Sequence, residues 1–259
     1  MRILIIGDVF GRPGRKAVYE NLCTIKQSLK LDMVIANGEN AAGGNGITPS
    51  TAKELFDYGI DVLTMGNHVW DKKEIFGHIE KDSRIIRPAN YPPGTPGKGY
   101  GLYKINGIDV GVINLSGLVY LSNLDCPFRI VDQILNEISN HTNTIIVDFH
   151  AEATSEKVAL GWYLDGKVSA VVGTHTHVQT ADERILPGGT AYITDIGMTG
   201  PLNSIIGVKI EVALKKFLTQ MPVRFEPADG PYQFNAVVIE VNEDTGCAVS
   251  INRIFNIEY

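Results

Sequence analysis

Short apolar segments rich in isoleucine and valine recur along the 259-residue chain, and they restrict its fold more than any other feature. Nearly continuous apolar runs of this length predict strands that are covered on both faces, as in sheets buried beneath helices. The runs are residues 3–6, 33–36, 62–65, 110–114, 145–149 and 168–172. Because helical patterns lie between these runs, the chain is predicted to be an α/β protein.

Apolar residues at helical spacing predict the helices, and turn residues mark the hairpins. Helices are predicted over residues 14–29, 50–58, 129–139 and 155–164, with a further one near residues 205–218. Asn106-Gly107 predicts a tight turn between strands 101–105 and 110–114, and later strands are predicted at residues 184–186, 190–194, 236–241 and 248–255. We predict a single α/β domain over residues 1–259, built on one mixed sheet or on two packed sheets.

The composition argues against several classes of protein. The chain has 23 basic and 29 acidic residues, and its net charge of −6 disfavours non-specific binding of nucleic acid by a basic surface. Three scattered cysteines predict reduced thiols and no disulfide framework. No segment resembles a signal peptide or approaches the roughly 20 apolar residues of a membrane span. We therefore expect a soluble cytoplasmic protein without membrane partners.

Polar side chains that are able to bind metal ions follow five of the predicted strands. They are Asp8, then Glu39 and Asn40, then Asn67 and His68, then His150, and finally His175 and His177. The carboxyl ends of parallel strands open into one crevice, so these side chains are expected to lie close together. Four of the six histidines in the chain belong to this set, which strengthens the expectation.

Each of these residues also has a structural explanation when it is taken alone. Asp8 fits a helix N-cap, and Asn67 with His68 fits a turn. His175 and His177 are alternate residues, so both either face one ligand or merely flank a loop. The structural explanations would have to coincide at all five strand ends, and the pattern therefore predicts a metal centre.

The types of donor restrict the metal. Seven candidates supply oxygen or nitrogen and no thiolate, namely Asp8, Glu39, Asn40, Asn67, His150, His175 and His177. Such donors favour manganese, iron or zinc in a site unlike a cysteine-rich structural zinc centre. Because seven donors exceed the four of a tetrahedral ion, two divalent ions that share a bridging carboxylate are predicted.

In their order along the chain, these motifs resemble those of the calcineurin-like metallophosphoesterases. They are Gly7-Asp8, Gly38-Glu39-Asn40, Gly66-Asn67-His68, His150 and Gly173-Thr174-His175-Thr176-His177. The segment from residues 6–14 through residues 37–40, and the segment 173–182, are similar to the YmdB-type branch of bacterial cyclic-nucleotide phosphodiesterases, a resemblance that covers essentially the whole chain. Phe10 replaces a histidine of the broader superfamily and Glu39 replaces an aspartate, and the YmdB-type branch shares both changes.

The resemblance implies a fold and a distribution of metal ligands. The fold is a four-layer α-β-β-α sandwich, in which two facing mixed β-sheets are flanked by helices. One ion is expected on Asp8, Glu39, Asn40 and His177, and the other on Glu39, Asn67, His150 and His175. Phe10 cannot bind a metal ion, so Asn40 is the candidate that completes the first ligand set. Iron or manganese is expected, with zinc as the third choice.

The resemblance further implies hydrolysis of cyclic nucleotides, either 2′,3′- or 3′,5′-cyclic monophosphates, and extends to RNA ends. A hydroxide between the two ions is the expected nucleophile. His68 follows a ligand without being needed as one, so it is the expected general acid. A phosphomonoesterase or protein phosphatase with the same centre, and a non-catalytic metal- or nucleotide-binding regulator, stay open.

Two smaller features also stay open. Residues 43–46 form either a substrate-contacting loop or a solvent loop in which glycine permits positive φ. Arg12 either binds phosphate or is simply exposed at a helix start. An assembly of identical chains is compatible with the resemblance.

Overall fold

The computed structural model of the protein describes residues 1–258 and contains five α-helices and fourteen strands in this part of the chain. The helices are α1 (Gly11–Leu29), α2 (Pro49–Asp57), α3 (Pro127–Ile138), α4 (Thr154–Leu164) and α5 (Ile210–Thr219). The first seven strands are β1 (Arg2–Ile6), β2 (Asp8–Val9), β3 (Met33–Asn37), β4 (Val62–Thr64), β5 (Ile85–Ile86), β6 (Tyr100–Ile105) and β7 (Ile108–Ser116). The others are β8 (Thr144–His150), β9 (Ala170–Thr174), β10 (Arg184–Ile185), β11 (Ala191–Ile193), β12 (Met198–Pro201), β13 (Tyr232–Val241) and β14 (Ala248–Glu258).

The strands form two mixed sheets. The first has the order β2-β12-β13-β1-β3-β4-β5, and β14 pairs with β13 beside this path. The second has the order β10-β11-β9-β8-β7-β6. β1 runs parallel to β3 and antiparallel to β13, whereas β7, β8 and β9 are all parallel.

The alternation of side chains along β1 shows how the layers are stacked. Ile3 and Ile5 point into a core between the sheets, where they join Ile146 of the second sheet. Leu4 and Ile6 point the other way, into a core that includes apolar residues of α1 and α2. A third core joins the outer face of the second sheet to α3 and α4. The predicted four-layer α-β-β-α sandwich is thereby confirmed.

Several predicted boundaries are wrong, for identifiable reasons. Strands β2, β5 and β12 were not predicted, because two to four residues are too few to show a period. The last helix begins at Ile210 and not near residue 205. Ile206 and Gly207 have φ values of 46° and 102°, which a right-handed helix does not accept.

The start of the first helix is also corrected. Asp8 does not cap α1, because it lies in β2 and the N-cap residue is Phe10. The prediction of one domain over residues 1–259 stays a prediction, and its last residue lies outside the described part of the chain. Among residues 1–258, no helix combines the length and the apolar character that crossing a membrane requires.

Gly7 marks a close approach between two backbone segments beside Asp8. Its N–H donates to the Asn235 carbonyl at 2.9 Å, and the Asp8 N–H donates to the Gly197 carbonyl at 3.0 Å. A Cβ atom at position 7 would lie 2.0 Å from the Gly197 oxygen. Glycine is therefore required here so that β2 can leave β1 and pair with β12.

We expect Gly7→Ala to lower the free energy of unfolding by about 1–3 kcal/mol or more, because the new methyl group must displace backbone. Urea unfolding followed by circular dichroism measures the change. Gly77→Ala is the matched control, since its Cβ would meet nothing within 4 Å and its φ is not positive. Equal stability of the two variants would contradict the role given to Gly7.

Candidate metal centre

The seven predicted donor residues lie together at the carboxyl end of the parallel strands. Asp8 is in β2, Glu39 and Asn40 follow β3, Asn67 follows β4, His150 ends β8, and His175 and His177 follow β9. Register explains part of this, since His150 is the pairing partner of Ser116 on β7 and of Thr174 on β9. The two facing sheets therefore bring these strand ends together, as expected.

Three donor atoms converge on Nε2 of His150. Its Nε2 lies 3.0 Å from Asn67 Oδ1, 3.1 Å from Glu39 Oε1 and 2.9 Å from His175 Nδ1. Glu39, His150 and His175 also qualify together as a group able to hold one ion. His150 and Glu39 are buried, so this cluster lies below the molecular surface.

Contacts outside the cluster determine which ring nitrogens of His150 and His175 face it. The Thr174 hydroxyl donates to Asp148 Oδ1 at 2.8 Å, so its oxygen accepts from His150 Nδ1 at 2.9 Å. His175 Nε2 faces the Glu152 carboxylate at 3.1 Å. The other nitrogen of each ring, His150 Nε2 or His175 Nδ1, points into the cluster, where it can bind a metal ion.

This arrangement fits a cation. The inward-facing nitrogens of His150 and His175 meet an amide oxygen of Asn67 and a carboxylate oxygen of Glu39, and all four atoms can serve as metal ligands. A proton on His150 Nε2, or a metal ion in its place, holds these electron-rich atoms together. Oxygen and imidazole donors in this combination suit iron, manganese or zinc.

A second group of donors adjoins the first. His177 Nε2 lies 3.2 Å from the Asn40 amide nitrogen and 3.8 Å from Asp8 Oδ1. His177 Nδ1 donates to the Ile206 carbonyl at 2.9 Å, which leaves Nε2 as an acceptor. Asp8 Oδ1 is fully buried and has no hydrogen-bond partner among residues 1–258. An unpartnered buried carboxylate oxygen beside an imidazole lone pair again fits a cation.

Glu39 connects the two groups. Its Oε1 contacts His150 in the first group and the Asn40 amide at 3.3 Å in the second. Its Oε2 accepts the backbone N–H of His68 at 3.0 Å. A Cβ atom on Gly66 would lie 2.3 Å from Oε2, so glycine at position 66 leaves room for the carboxylate.

The electrostatics favour positive charge at this place. Burial raises the pKa of Asp8 to about 6. Burial also opposes ionisation of Glu39, but His150 lowers the pKa of this carboxyl to about 2. For His150, burial lowers the pKa while Glu39 and Asp8 raise it, to about 9. The buried carboxylates thus stabilise a cation beside them.

His68 occupies a different environment from the seven donors. Its side chain is 34% exposed, and its Nδ1 lies 2.8 Å from Asp71 Oδ2. The Asn45 amide contacts the same carboxylate oxygen at 3.4 Å, which links the 43–46 loop to the surroundings of His68. Arg12 is exposed at the start of α1. Phe10 meets the His177 ring edge-on, with 5.7 Å between ring centroids.

Sequence reasoning missed the buried ion pair that supports the last two histidines. Lys157 Nζ lies 2.6 Å from Asp195 Oδ2, and both side chains are buried. The same oxygen accepts the N–H and the hydroxyl of Thr176, at 3.0 and 2.8 Å. Asp195 therefore anchors the turn in which His175 and His177 adopt φ values of 99° and 65°.

Asp148 was missed as well. It lies within the apolar strand β8, accepts from Thr64, Thr174 and Asn37, and orients His150 through Thr174. The sequence does contain a signal for Asp148, because it is a carboxylate inside an otherwise apolar run. Burial of a carboxylate is costly unless it is hydrogen-bonded.

Comparison with known proteins places these residues in a family context. The model of a family described as YmdB-like protein matches residues 4–254. The chain is 54% identical over 254 residues to a Bacillus subtilis protein named 2′,3′-cyclic-nucleotide 2′-phosphodiesterase, with 98% of this chain and 96% of that protein covered.

Solved structures show the same fold. A Thermus thermophilus protein described as hypothetical superposes with a TM-score of 0.94 at 44% identity, and both chains are fully covered. A 5′-nucleotidase precursor from the same species gives a TM-score of 0.55 at 12% identity, over 99% of this chain and 54% of that one. The second likeness shows the fold alone.

We expect Lys157→Met to lower the free energy of unfolding by about 3–5 kcal/mol, because it leaves the Asp195 carboxylate buried without its partner. Lys167→Met is the control, since Lys167 pairs with Asp132 at 3.7 Å on the surface. Exposed pairs contribute about 0–1 kcal/mol, so the control should unfold near the wild type. Denaturant unfolding of both variants checks the difference, and equal losses would contradict the anchoring role.

Proposed function

The chain belongs to the YmdB-like protein family, and on this basis we propose that it is a metal-dependent phosphoric diester hydrolase that acts on 2′,3′-cyclic nucleotides. The observation that carries the proposal is the convergence of oxygen and imidazole donors on His150 and Glu39, in a chain 54% identical to a phosphodiesterase. The proposal also includes activity on 3′,5′-cyclic nucleotides and on RNA ends, and turnover of these substrates is to be measured separately.

We assign the donors to two ions that share Glu39. The first set is Asn67, His150 and His175 with Glu39, and the second is Asp8, Asn40 and His177 with Glu39. A 180° rotation of the Asn40 side-chain amide places its oxygen where its nitrogen now lies. The amide oxygen is the atom of this group that binds a metal ion. Divalent ions held there, iron or manganese with zinc as the third choice, would supply Lewis-acid chemistry, namely activation of a water molecule and neutralisation of charge on the phosphoryl oxygens.

The residues of the chain contribute orientation and proton transfer. Asp148, through Thr174, and Glu152 hold the rings of His150 and His175 so that one nitrogen of each faces the centre. When the bond between phosphorus and a ribose oxygen breaks, the leaving oxygen needs a proton. His68 is half-exposed beside the centre, and Asp71 orients its ring, so we assign it as the general acid. A positioned acid of this kind contributes about 10²–10⁴-fold.

Turnover of a panel of substrates tests the proposed function. Protein loaded with manganese or with iron is offered 2′,3′- and 3′,5′-cyclic nucleotides, nucleotide monoesters, RNA with cyclic phosphate ends, and phosphopeptides. The proposal expects the fastest turnover on 2′,3′-cyclic nucleotides. Preference for monoesters or phosphopeptides would indicate a phosphatase, and absence of turnover on every substrate would indicate a binding protein.

Glu39→Gln is expected to lower both metal content and turnover, because the shared carboxylate loses its charge. The metal content per chain is measured by elemental analysis, and turnover is measured with a 2′,3′-cyclic nucleotide as the substrate. Glu74→Gln, at an exposed position, is the control and should match the wild type. If the Glu39→Gln variant held two ions per chain and kept full turnover, the bridging role assigned to Glu39 would be contradicted.

His68→Ala is expected to keep its metal and to slow hydrolysis of cyclic nucleotides by about 10²–10⁴-fold. The loss should be much smaller with bis(p-nitrophenyl) phosphate, because p-nitrophenolate leaves without a proton. Steady-state kinetics on the two substrates measure this difference, with His141→Ala at an exposed site as control. The same loss on both substrates would argue against an acid at position 68.

A further inference from the structure

A cleft of about 290 Å³ adjoins the second group of metal donors. One of its walls is the segment 177–179, which follows β9, and the other wall is formed by β13 and β14. His177 belongs both to the first wall and to the donors assigned to the second ion. The cleft is therefore next to the place where the phosphate of a substrate is expected to bind.

The strand register explains why the second wall lies at the metal end of the sheets. Ile251 of β14 belongs to the core between the two sheets, and Arg253 and Phe255 follow it at alternate positions on the same face. Phe255 is the pairing partner of Asn235 on β13. The Asn235 carbonyl accepts from Gly7, which directly precedes the first metal donor in the sequence. Phe255 thus lies on the face between the sheets, at the end where the metal donors are.

The side chain of Gln179 ties the two walls together. Its Nε2 donates to the Ala236 carbonyl of β13 at 3.1 Å and contacts the Ile254 carbonyl of β14 at 3.3 Å. Ile254 directly precedes Phe255, and Gln179 is two residues from His177. These bonds hold the Phe255 ring in a defined position relative to a metal donor, so the cleft is formed before any ligand enters it.

The lining of the cleft suits a flat and uncharged group. Phe255 and Val178 are 54% and 62% exposed, and they supply an apolar surface on each wall. Gln233 adds a side-chain amide, which can both donate and accept hydrogen bonds. Within residues 1–258 no acidic side chain lines the cleft, and the guanidinium of Arg253 is paired with Glu183 at 2.8 Å. Nucleobases are bound in this way, by stacking on an aromatic ring and by hydrogen bonds along their edges.

We propose that the cleft binds the base of the nucleotide whose phosphate lies at the metal centre, with Phe255 stacked on the base and Gln233 hydrogen-bonded to its edge. This assignment rests on the proposed function and identifies the residues that select a nucleotide over other phosphodiesters. A single ribose joins base and phosphate in a nucleotide, and the shared His177 places the cleft and the centre side by side, as this requires. Adenine suits the amide of Gln233 best, because its edge presents a donor beside an acceptor.

Kinetics on substrates with and without a base test the role of Phe255. Phe255→Ala is expected to lower kcat/KM for 2′,3′-cyclic AMP about 5- to 150-fold, the size of one lost base–aromatic stack. The loss should appear mainly in KM, because stacking stabilises the bound substrate and the transition state alike. Methyl riboside 2,3-cyclic phosphate has the same cyclic diester without a base, and both proteins should hydrolyse it equally well.

Two further variants control for effects on the fold. Phe255→Trp keeps an aromatic surface and should retain most of the kcat/KM for 2′,3′-cyclic AMP. Val249→Ala, at a position that is 58% exposed near the other end of β14, should match the wild type on both substrates. An equal loss on both substrates in Phe255→Ala, or no loss on either, would overturn the role of the cleft.

Gln233→Leu tests whether the edge of the base is read. It should lower kcat/KM for 2′,3′-cyclic AMP several-fold more than kcat/KM for 2′,3′-cyclic UMP, because the amide complements the adenine edge. Loss of the same size with both nucleotides would contradict the hydrogen bond from Gln233 to the base.

Binding measurements separate this inference from the proposed function. Manganese-loaded protein is titrated by calorimetry with adenosine 3′-monophosphate and with inorganic phosphate. The wild type is expected to bind the nucleotide more tightly, and Phe255→Ala should remove most of this difference without changing the affinity for phosphate. If this pattern is found but no cyclic nucleotide is hydrolysed, the proposed function fails and the base site stands. Equal affinities of the wild type for the two ligands would overturn the base site.

Discussion

The convergence of oxygen and nitrogen donors at the carboxyl ends of the strands is the constraint on which the rest of this structure depends. Two buried carboxylates, of Asp8 and Glu39, meet the imidazole rings of His150, His175 and His177 there. Such an arrangement is costly unless cations occupy it. The parallel strands, the close approach at Gly7 and the turn after β9 all serve to bring these groups together.

The cost of this arrangement is offset by groups that surround it. His175 and His177 both have left-handed backbone conformations, which cost about 1–3 kcal/mol each for residues other than glycine. Asp195 holds the turn between them, and Lys157 neutralises its charge. On the other side, Asp148 directs His150 through a threonine hydroxyl. These supporting groups keep the metal-binding nitrogens directed inward, as outer hydrogen bonds do in metal sites.

Much of the fold and of the site could be read from the sequence. Long apolar runs predicted most of the central strands, because burial on both faces removes polar residues from them. The seven candidate donors were identifiable because each interrupts or follows such a run. Strands such as β2 and β12 could not be predicted, since two or four residues carry no period and pairing alone defines them. The ion pair of Lys157 and Asp195 was equally hidden, because its members are 38 positions apart.

The sequence by itself determined the alternation of strands and helices and the types of donor available to a metal ion. Both depend on local properties, namely hydrophobic period and side-chain chemistry. Tertiary structure alone decided which donors meet and which ring nitrogens face the metal centre. Those outcomes depend on contacts between residues far apart in sequence, and no local pattern specifies them.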